Sequence, residues 1–339
     1  MLGTTVSPTM KICFIERRDA DTPSIERVFD TLIGELRSRG VECSRQKLPY
    51  GNRVADVFRN LLFFKPEPAD VYHIAGHINY VALRLPAERT IQTVHDLGIL
   101  DSRTGLRRSV LAQLFFRAPT RRVKATIAIS KATQEALIAI SGVDPDRIAM
   151  IPNPVPPGYV EQPKPFAEVP RVLQIGTAPH KNLERTAEAL CGFNVHFRII
   201  GKLNETQRSL LEQLKLDFSS VGLVDDQTMI AEYQAADLVV FCSLFEGFGM
   251  PIIEAQAIGR PVITSDRSPM RDVAGDGAIL VDPENVEAIR KGIEDLLSDP
   301  KRADELRRIG TKNAAGYRVE SIADEYLKIY EGIFSRSES

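Results

Sequence analysis

The chain has 339 residues, enough for two domains that each bury a core of their own. Its 43% hydrophobic and 26% charged residues are those of an ordinary globular protein, and a net charge of −2 supplies no global basic field, so nucleic acid is excluded as an expected partner. An apolar stretch of about 18 residues is missing, as is an N-terminal charged segment followed by an apolar run of roughly 7–15 residues; the expected location is therefore cytoplasmic, with no spanning helix.

In chain order, β-rich runs alternate with helical stretches, the pattern of doubly wound α/β architecture. Strands are expected at 11–16, 71–74, 90–94, 126–129 and 148–151, with helices at about 23–39 and at 131–140, the latter capped by Ser130. Residues 152–170 hold seven prolines, a density that regular elements do not tolerate, and read as a linker between domains. The alternation then restarts. Strands are expected at 172–175, 196–200, 238–242, 261–264 and 278–281, with helices at about 182–190, 206–216, 226–235 and 252–258, and a helical tail from 284 that ends in 322–334. The boundaries are a first domain over 1–155, a linker over 156–170, a second domain over 171–317 and a terminal segment over 318–339. Two such domains leave a cleft, and ligands of these folds bind at the carboxyl ends of strands. The cysteines Cys13, Cys43, Cys191 and Cys242 form no C-x-x-C pair and read as small packed hydrophobes.

The most informative run follows the strand at 238–242. It continues through Ser243-Leu244-Phe245-Glu246-Gly247-Phe248-Gly249-Met250, and Pro251 then opens a helix. Unpaired N–H groups of that first turn, with backbone exposed at Gly247 and Gly249, form an anion site suited to a diphosphate. Glu246 and Glu254 flank this site and would repel an anion, so they are better placed to accept hydrogen bonds from hydroxyls, one of a sugar and one of a ribose. A second glycine-led loop, Gly176-Thr177-Ala178-Pro179-His180-Lys181, ends the first strand of the same domain and offers Lys181 to phosphate; Gly201-Lys202 closes the next strand similarly. Two other readings compete. Gly247-Phe248-Gly249 with Asp266 mimics a dinucleotide fingerprint, but its third glycine would fall on Ile252, whose bulk spoils the helix–strand packing. The other is a tight turn with two solvated glutamates.

Together with Thr93-Val94-His95-Asp96, Ala128-Ile129-Ser130, Ile151-Pro152-Asn153, Ala235-Ala236-Asp237 and Gly275-Asp276, the Glu-x7-Glu run from Glu246 to Glu254 resembles the family 4 type of retaining glycosyltransferases (glycosyl transferases group 1). The resemblance implies the GT-B fold, two Rossmann-like domains facing a cleft. It implies that Glu246 contacts the transferred sugar, Glu254 the ribose and Lys181 the leaving diphosphate, with His95 contacting the sugar from the opposite domain. The base would lie near Val224 and Asp225, and the terminal helix would cross back onto the first domain. The implied donor site is Gly176, Thr177, Lys181, Gly201, Lys202, Val224, Glu246, Gly247, Phe248, Gly249, Met250, Pro251 and Glu254. Expected catalytic residues are Glu246, His95 and Lys181. Relatives often carry arginine where this chain has Thr177, Asn-Gly-Val where it has Asn153-Pro154-Val155, and Pro-Glu where it has Arg271-Asp272.

The function expected is transfer of a hexose from a GDP- or UDP-linked sugar to a glycan, lipid-linked or small-molecule acceptor in cell-surface polysaccharide synthesis. The alternative is a catalytically silent subunit that binds nucleotide and supports a partner transferase. No cofactor is expected, and no metal: Asp19-Ala20-Asp21 resembles a metal-carrying Asp-x-Asp but reads as a solvated turn. His73 and His77 are weighed as acceptor-side residues against ordinary packed or surface histidines. Segment 106–124 mixes Arg107, Arg108, Arg117, Arg121 and Arg122 with Leu111, Leu114, Phe115 and Phe116. It reads either as a basic amphipathic helix on an anionic membrane surface, peripheral on the inner face, or as a helix packed on its own domain.

Overall fold

The computed structural model describes residues 10–19, 24–100 and 103–335. The chain forms two compact units, the first from residues 1–154 and 319–339, the second from 155–318.

In the first unit, strands β1 (Lys11–Glu16), β2 (Glu42–Lys47), β3 (Val71–Ala75), β4 (Thr90–Val94), β5 (Ala125–Ala128) and β6 (Ile148–Met150) make one parallel sheet in the order β2-β1-β3-β4-β5-β6. The helices between them are α1 (Ser24–Ser38), α2 (Val54–Phe63), α3 (Gly105–Ala112), α4 (Ala118–Arg122) and α5 (Lys131–Ser141). Strands β3 and β4 are buried at every position, as a parallel sheet covered on both faces requires. Helix α5 starts as expected: the Ser130 side chain accepts from Thr133 N–H, and Gly142 ends it in the left-handed region.

The second unit repeats the design with β7 (Arg171–Ile175), β8 (His196–Ile200), β9 (Asp217–Val221), β10 (Leu238–Phe241), β11 (Val262–Ser265) and β12 (Ala278–Val281), ordered β12-β11-β10-β7-β8-β9. Its helices are α6 (Leu183–Leu190), α7 (Glu205–Gln213), α8 (Asp226–Ala235), α9 (Met250–Ile258), α10 (Met270–Ala274), α11 (Val286–Ser298) and α12 (Pro300–Ala314). The last helix, α13 (Val319–Phe334), belongs to the first unit, where its Ile322, Tyr326 and Tyr330 join Phe29 and Leu32 of α1 in the core on one face of the sheet.

Two expectations change, and two open alternatives are decided. The edge strands β2 and β9 were not anticipated; β2 alternates exposed and covered positions with only Cys43 buried, and β9 buries none fully, so neither carries the apolar run of an interior strand. The proline-rich stretch from 155 onward is fastened to the second unit: Gln162 N–H donates to Ile258 O, Ala167 N–H to Asp237, and Lys164 pairs with Asp237 at 3.0 Å. Segment 106–124 is not one uniform helix. A π-helical turn, Gln113–Arg117, joins α3 to α4 and buries Phe115 and Phe116 in the core, so that part of the stripe packs on its own domain. His73 lies inside β3, fully buried, with Nδ1 hydrogen-bonded to the Tyr330 hydroxyl at 2.7 Å and Nε2 to Thr93 at 2.8 Å, a satisfied core histidine and no acceptor contact. Ala20 and Asp21 of the Asp-x-Asp run lie outside the described residues.

Candidate active site

In the second unit, β7 and β10 are hydrogen-bonded neighbours, although the chain enters β8 after β7 and β11 after β10. Their following connections diverge to opposite sides, which opens a crevice at their carboxyl ends. The two loops that the sequence singles out are the ones that leave these strands, residues 176–182 after β7 and 242–249 after β10.

Both loops depend on glycine where a side chain would collide. Gly176 has φ +92, and a Cβ there would stand 2.8 Å from Lys181 Cγ, so the lysine stem crosses directly over the glycine. Gly201 has φ +148, and a Cβ would stand 2.7 Å from Thr177 Cγ2. Thr177 donates its hydroxyl to Lys202 O at 2.9 Å, which joins these loops, while Lys202 itself is exposed. Leu244 N–H donates to His180 O at 2.7 Å, and the rings of His180 and Phe245 stack 4.8 Å apart. Burial, with the neighbouring Lys181 charge, holds His180 below its ordinary pKa.

These links bring Lys181 and Glu246 together. Lys181 Nζ donates to Glu246 Oε1 at 2.5 Å, both side chains mostly shielded, and the ammonium also lies 4.9 Å from the centre of the Phe241 ring. Helix α9 begins beside them. Met250 is its first residue and Pro251 its second, one position earlier than the sequence pattern placed the opening. Gly249 stands at the cap with φ +116 and has no side chain to cap the first turn, in which Pro251 lacks an N–H and Ile252 N–H donates to Gly249 O at 2.9 Å. Ile252 is buried, with its Cδ1 only 3.0 Å from where a Gly249 Cβ would sit; the bulk that argues against a dinucleotide fingerprint is packed into the turn itself. Phe248 is buried with its ring 5.9 Å from Tyr317, leaving its backbone rather than its side chain to serve a ligand.

Glu254, on α9, accepts a 2.6 Å hydrogen bond from the Tyr233 hydroxyl of α8. Tyr233 is fully buried, and burial together with the Glu254 charge pushes its pKa well above 10, so it remains a donor at every working pH. Arg260 fixes the backbone beneath it by donating to Tyr233 O and Gln234 O, both at 3.0 Å. Val224 lies on the loop after β9, two strands from β7 at the same end of the sheet.

Asn182 and Tyr233 carry supporting roles that the sequence reading did not assign. Asn182 follows the lysine in the left-handed region at φ 60 and donates its amide to Cys242 O at 3.0 Å and Pro283 O at 2.7 Å, tying three strand-end loops together. An Asn between a lysine and a helix start signals such a turn, because Asn tolerates this backbone region. Tyr233 leaves no local signal, since its partner is 21 residues away.

His95 belongs to the first unit, after β4. Burial pushes its pKa down to about 3, leaving a neutral imidazole, and its Nε2 is buried without a hydrogen-bond partner among the described residues. His77 stands 3.6 Å from Asp96. No group of three or more histidine, cysteine, aspartate or glutamate side chains that could hold a metal gathers among the described residues.

Two family models match in succession, "Glycosyltransferase Family 4" over residues 37–159 and "Glycosyl transferases group 1" over 161–313. The chain belongs to the group 1 glycosyltransferases of the family 4 type. It is 26% identical over 234 residues to an MMP alpha-(1->4)-mannosyltransferase of Mycolicibacterium hassiacum, 64% of this chain and 56% of that protein. It spans 29 to 60% of the length of the first three curated relatives that it matches. Among solved structures, a sucrose-phosphate synthase of Thermosynechococcus elongatus superposes with a TM-score of 0.80 at 18% identity, over 96% of this chain and all of that one. Anabaena HepE in complex with UDP and glucose gives 0.75 at 17% identity, over 95% and all of the respective chains. These likenesses and the two parallel six-stranded sheets give the group 1 chain the GT-B fold.

Proposed function

We propose that this family 4 protein is a retaining hexosyltransferase that uses a GDP- or UDP-linked sugar, with mannose the first sugar to test, and builds a cell-surface glycan. The observation that carries the reading is the placement of Lys181, Glu246 and the glycine-led start of α9 around the crevice between β7 and β10. One cation and one helix N-terminus suit the diphosphate, while two carboxylates at fixed positions suit sugar and ribose hydroxyls. The mannosyltransferase named above supports mannose, and the UDP and glucose of the Anabaena structure support a nucleotide-linked sugar.

In this mechanism the bond between the anomeric carbon and the diphosphate oxygen breaks, and the electron pair leaves with the nucleoside diphosphate. Lys181 and the α9 N-terminus stabilise that negative charge, an electrostatic effect worth about 3 kcal/mol for one well-placed donor. The acceptor hydroxyl attacks from the face that the diphosphate leaves, and its proton passes to a phosphate oxygen. Glu246 accepts from the sugar hydroxyls and Glu254 from the ribose. No step calls for a metal.

The test is incubation of the full chain with a panel of nucleoside-diphosphate sugars. Nucleoside diphosphate should appear with one donor, and NMR of the transferred or hydrolysed sugar should give the donor's anomeric configuration. Inverted configuration would remove the retaining mechanism; no turnover of any donor, with or without glycan acceptors, would favour the silent subunit.

A further inference from the structure

Helix α2 is apolar on two sides. Val57, Leu61 and the following Phe64 face the core of the first unit. On the solvent side, Val54, Phe58 and Leu62 recur at i, i+4 and i+8 with Phe63 beside them, exposed by 76, 59, 67 and 62%. A single exposed apolar side chain needs no explanation, but a stripe along the whole outer face of a surface helix does. Helix α3 adds Leu106 and Val110, one turn apart and exposed by 80 and 55%. Both helices lie in one layer on one face of the sheet: Val57 and Phe64 share a core cluster with Ala112, Phe115 and Phe116.

The α3 side of this layer is basic, although Asp56 on α2 pairs with Arg59, Lys124 with Glu88 and Lys131 with Glu135. From Arg103 to Gln134 the chain carries eight lysines and arginines and no aspartate or glutamate. Three of the arginines are committed internally: Arg117 donates to Ile140 O, Arg121 to Ser141 O, and Arg122 to Ala82 O and Leu85 O. Arg107 and Arg108 are exposed on α3, and Arg53 is exposed at the start of α2.

We propose that this face of the first unit docks on an anionic lipid bilayer. Val54, Phe58, Leu62 and Phe63 enter the boundary between headgroups and acyl chains, and Arg107 and Arg108 meet the lipid phosphates. A second copy of the chain is the poorer occupant, because a two-fold interface would set this cationic layer against itself. The membrane surface is thereby assigned to α2 and the first turns of α3, while Phe115 and Phe116 serve the core.

Co-sedimentation of the full chain with vesicles tests this. Phosphatidylcholine vesicles containing roughly one part in three phosphatidylglycerol should carry the protein down, pure phosphatidylcholine much less, and added salt should weaken the difference. The pair Phe58→Ser and Leu62→Ser should lower partitioning by ~10-fold or more with an unchanged melting curve, since both side chains are exposed. The pair Arg107→Gln and Arg108→Gln should remove the preference for anionic lipid. Protein that stays in the supernatant with anionic vesicles overturns the proposal, as does wild-type partitioning of the Phe58–Leu62 variant. A lipid-free dimer that the same variant dissociates would assign the face to self-association instead.

Discussion

Lys181 and Glu246, 65 residues apart in sequence, share a 2.5 Å charge-assisted hydrogen bond at the mouth of the crevice between β7 and β10. Each is the other's counter-charge while no donor is present. In the proposed mechanism a diphosphate at Lys181 would compete with Glu246 and free the carboxylate for sugar hydroxyls. On that proposal the pair would couple phosphate binding to the residue that handles the sugar.

Glu246→Gln removes the competing charge and keeps the shape. Turnover should fall by ~100-fold or more, the loss typical of one transition-state contact, while the free nucleoside diphosphate binds as tightly as before or more tightly. Titration calorimetry beside steady-state rates reads both. Unchanged turnover would remove Glu246 from the chemistry.

Tyr233→Phe deletes only the hydroxyl that holds Glu254. Donor KM should rise by ~10- to 100-fold, about the worth of one hydrogen bond to a charged group, with kcat nearly constant. A donor lacking the ribose hydroxyls should be insensitive to the change. If Glu254→Gln weakens nucleotide binding and Tyr233→Phe does not, Tyr233 is only a packing residue.

Asn182→Ala leaves Cys242 O and Pro283 O without their buried donor. Stability should drop by about 1–3 kcal/mol, with donor affinity falling alongside because the loop bearing Lys181 loses its anchor. Denaturant titration checks the first and calorimetry the second; wild-type values in both would show that the anchor is dispensable.

His73 and His95 give the first unit a pH dependence. Burial holds both near a pKa of about 3, against about 6.5 in an unfolded chain, so between those values the unfolded state binds more protons. Their contribution is complete above pH 6.5 and is lost as pH falls toward 3, at up to about 1.4 kcal/mol per pH unit for each. His73→Gln should make the decline between pH 6.5 and 4.5 shallower. An unaltered slope would place the titration elsewhere.

The sequence made most interior strands legible, because a strand covered on both faces reads as a short apolar run, as at Val71–Ala75 and Leu238–Phe241. Edge strands such as Glu42–Lys47 bury one residue and look like loops. Within the candidate site, glycines and charges announced the loops around Gly176 and Glu246, because the close crossings at Gly176 and Gly201 exclude a Cβ. What escaped was pairing at a distance. Nothing near Tyr233 points to Glu254, and nothing near Lys181 says that its resting partner is Glu246. The basic stripe left two readings open for a related reason: Leu111 and Phe115 have helical spacing that fits either, and a π-helical turn with the packed ring of Tyr80, 5.2 Å from Phe115, decides for the core.

The most direct test of the account is calorimetric titration of GDP, UDP and their sugars into the wild-type chain and Lys181→Ala. The wild type should bind one nucleoside diphosphate and its sugar, and Lys181→Ala should weaken both by ~10-fold or more, since one phosphate cation serves both ligands. Equal affinity of the two proteins for the same nucleotide would contradict it and move the phosphate site away from β7 and β10.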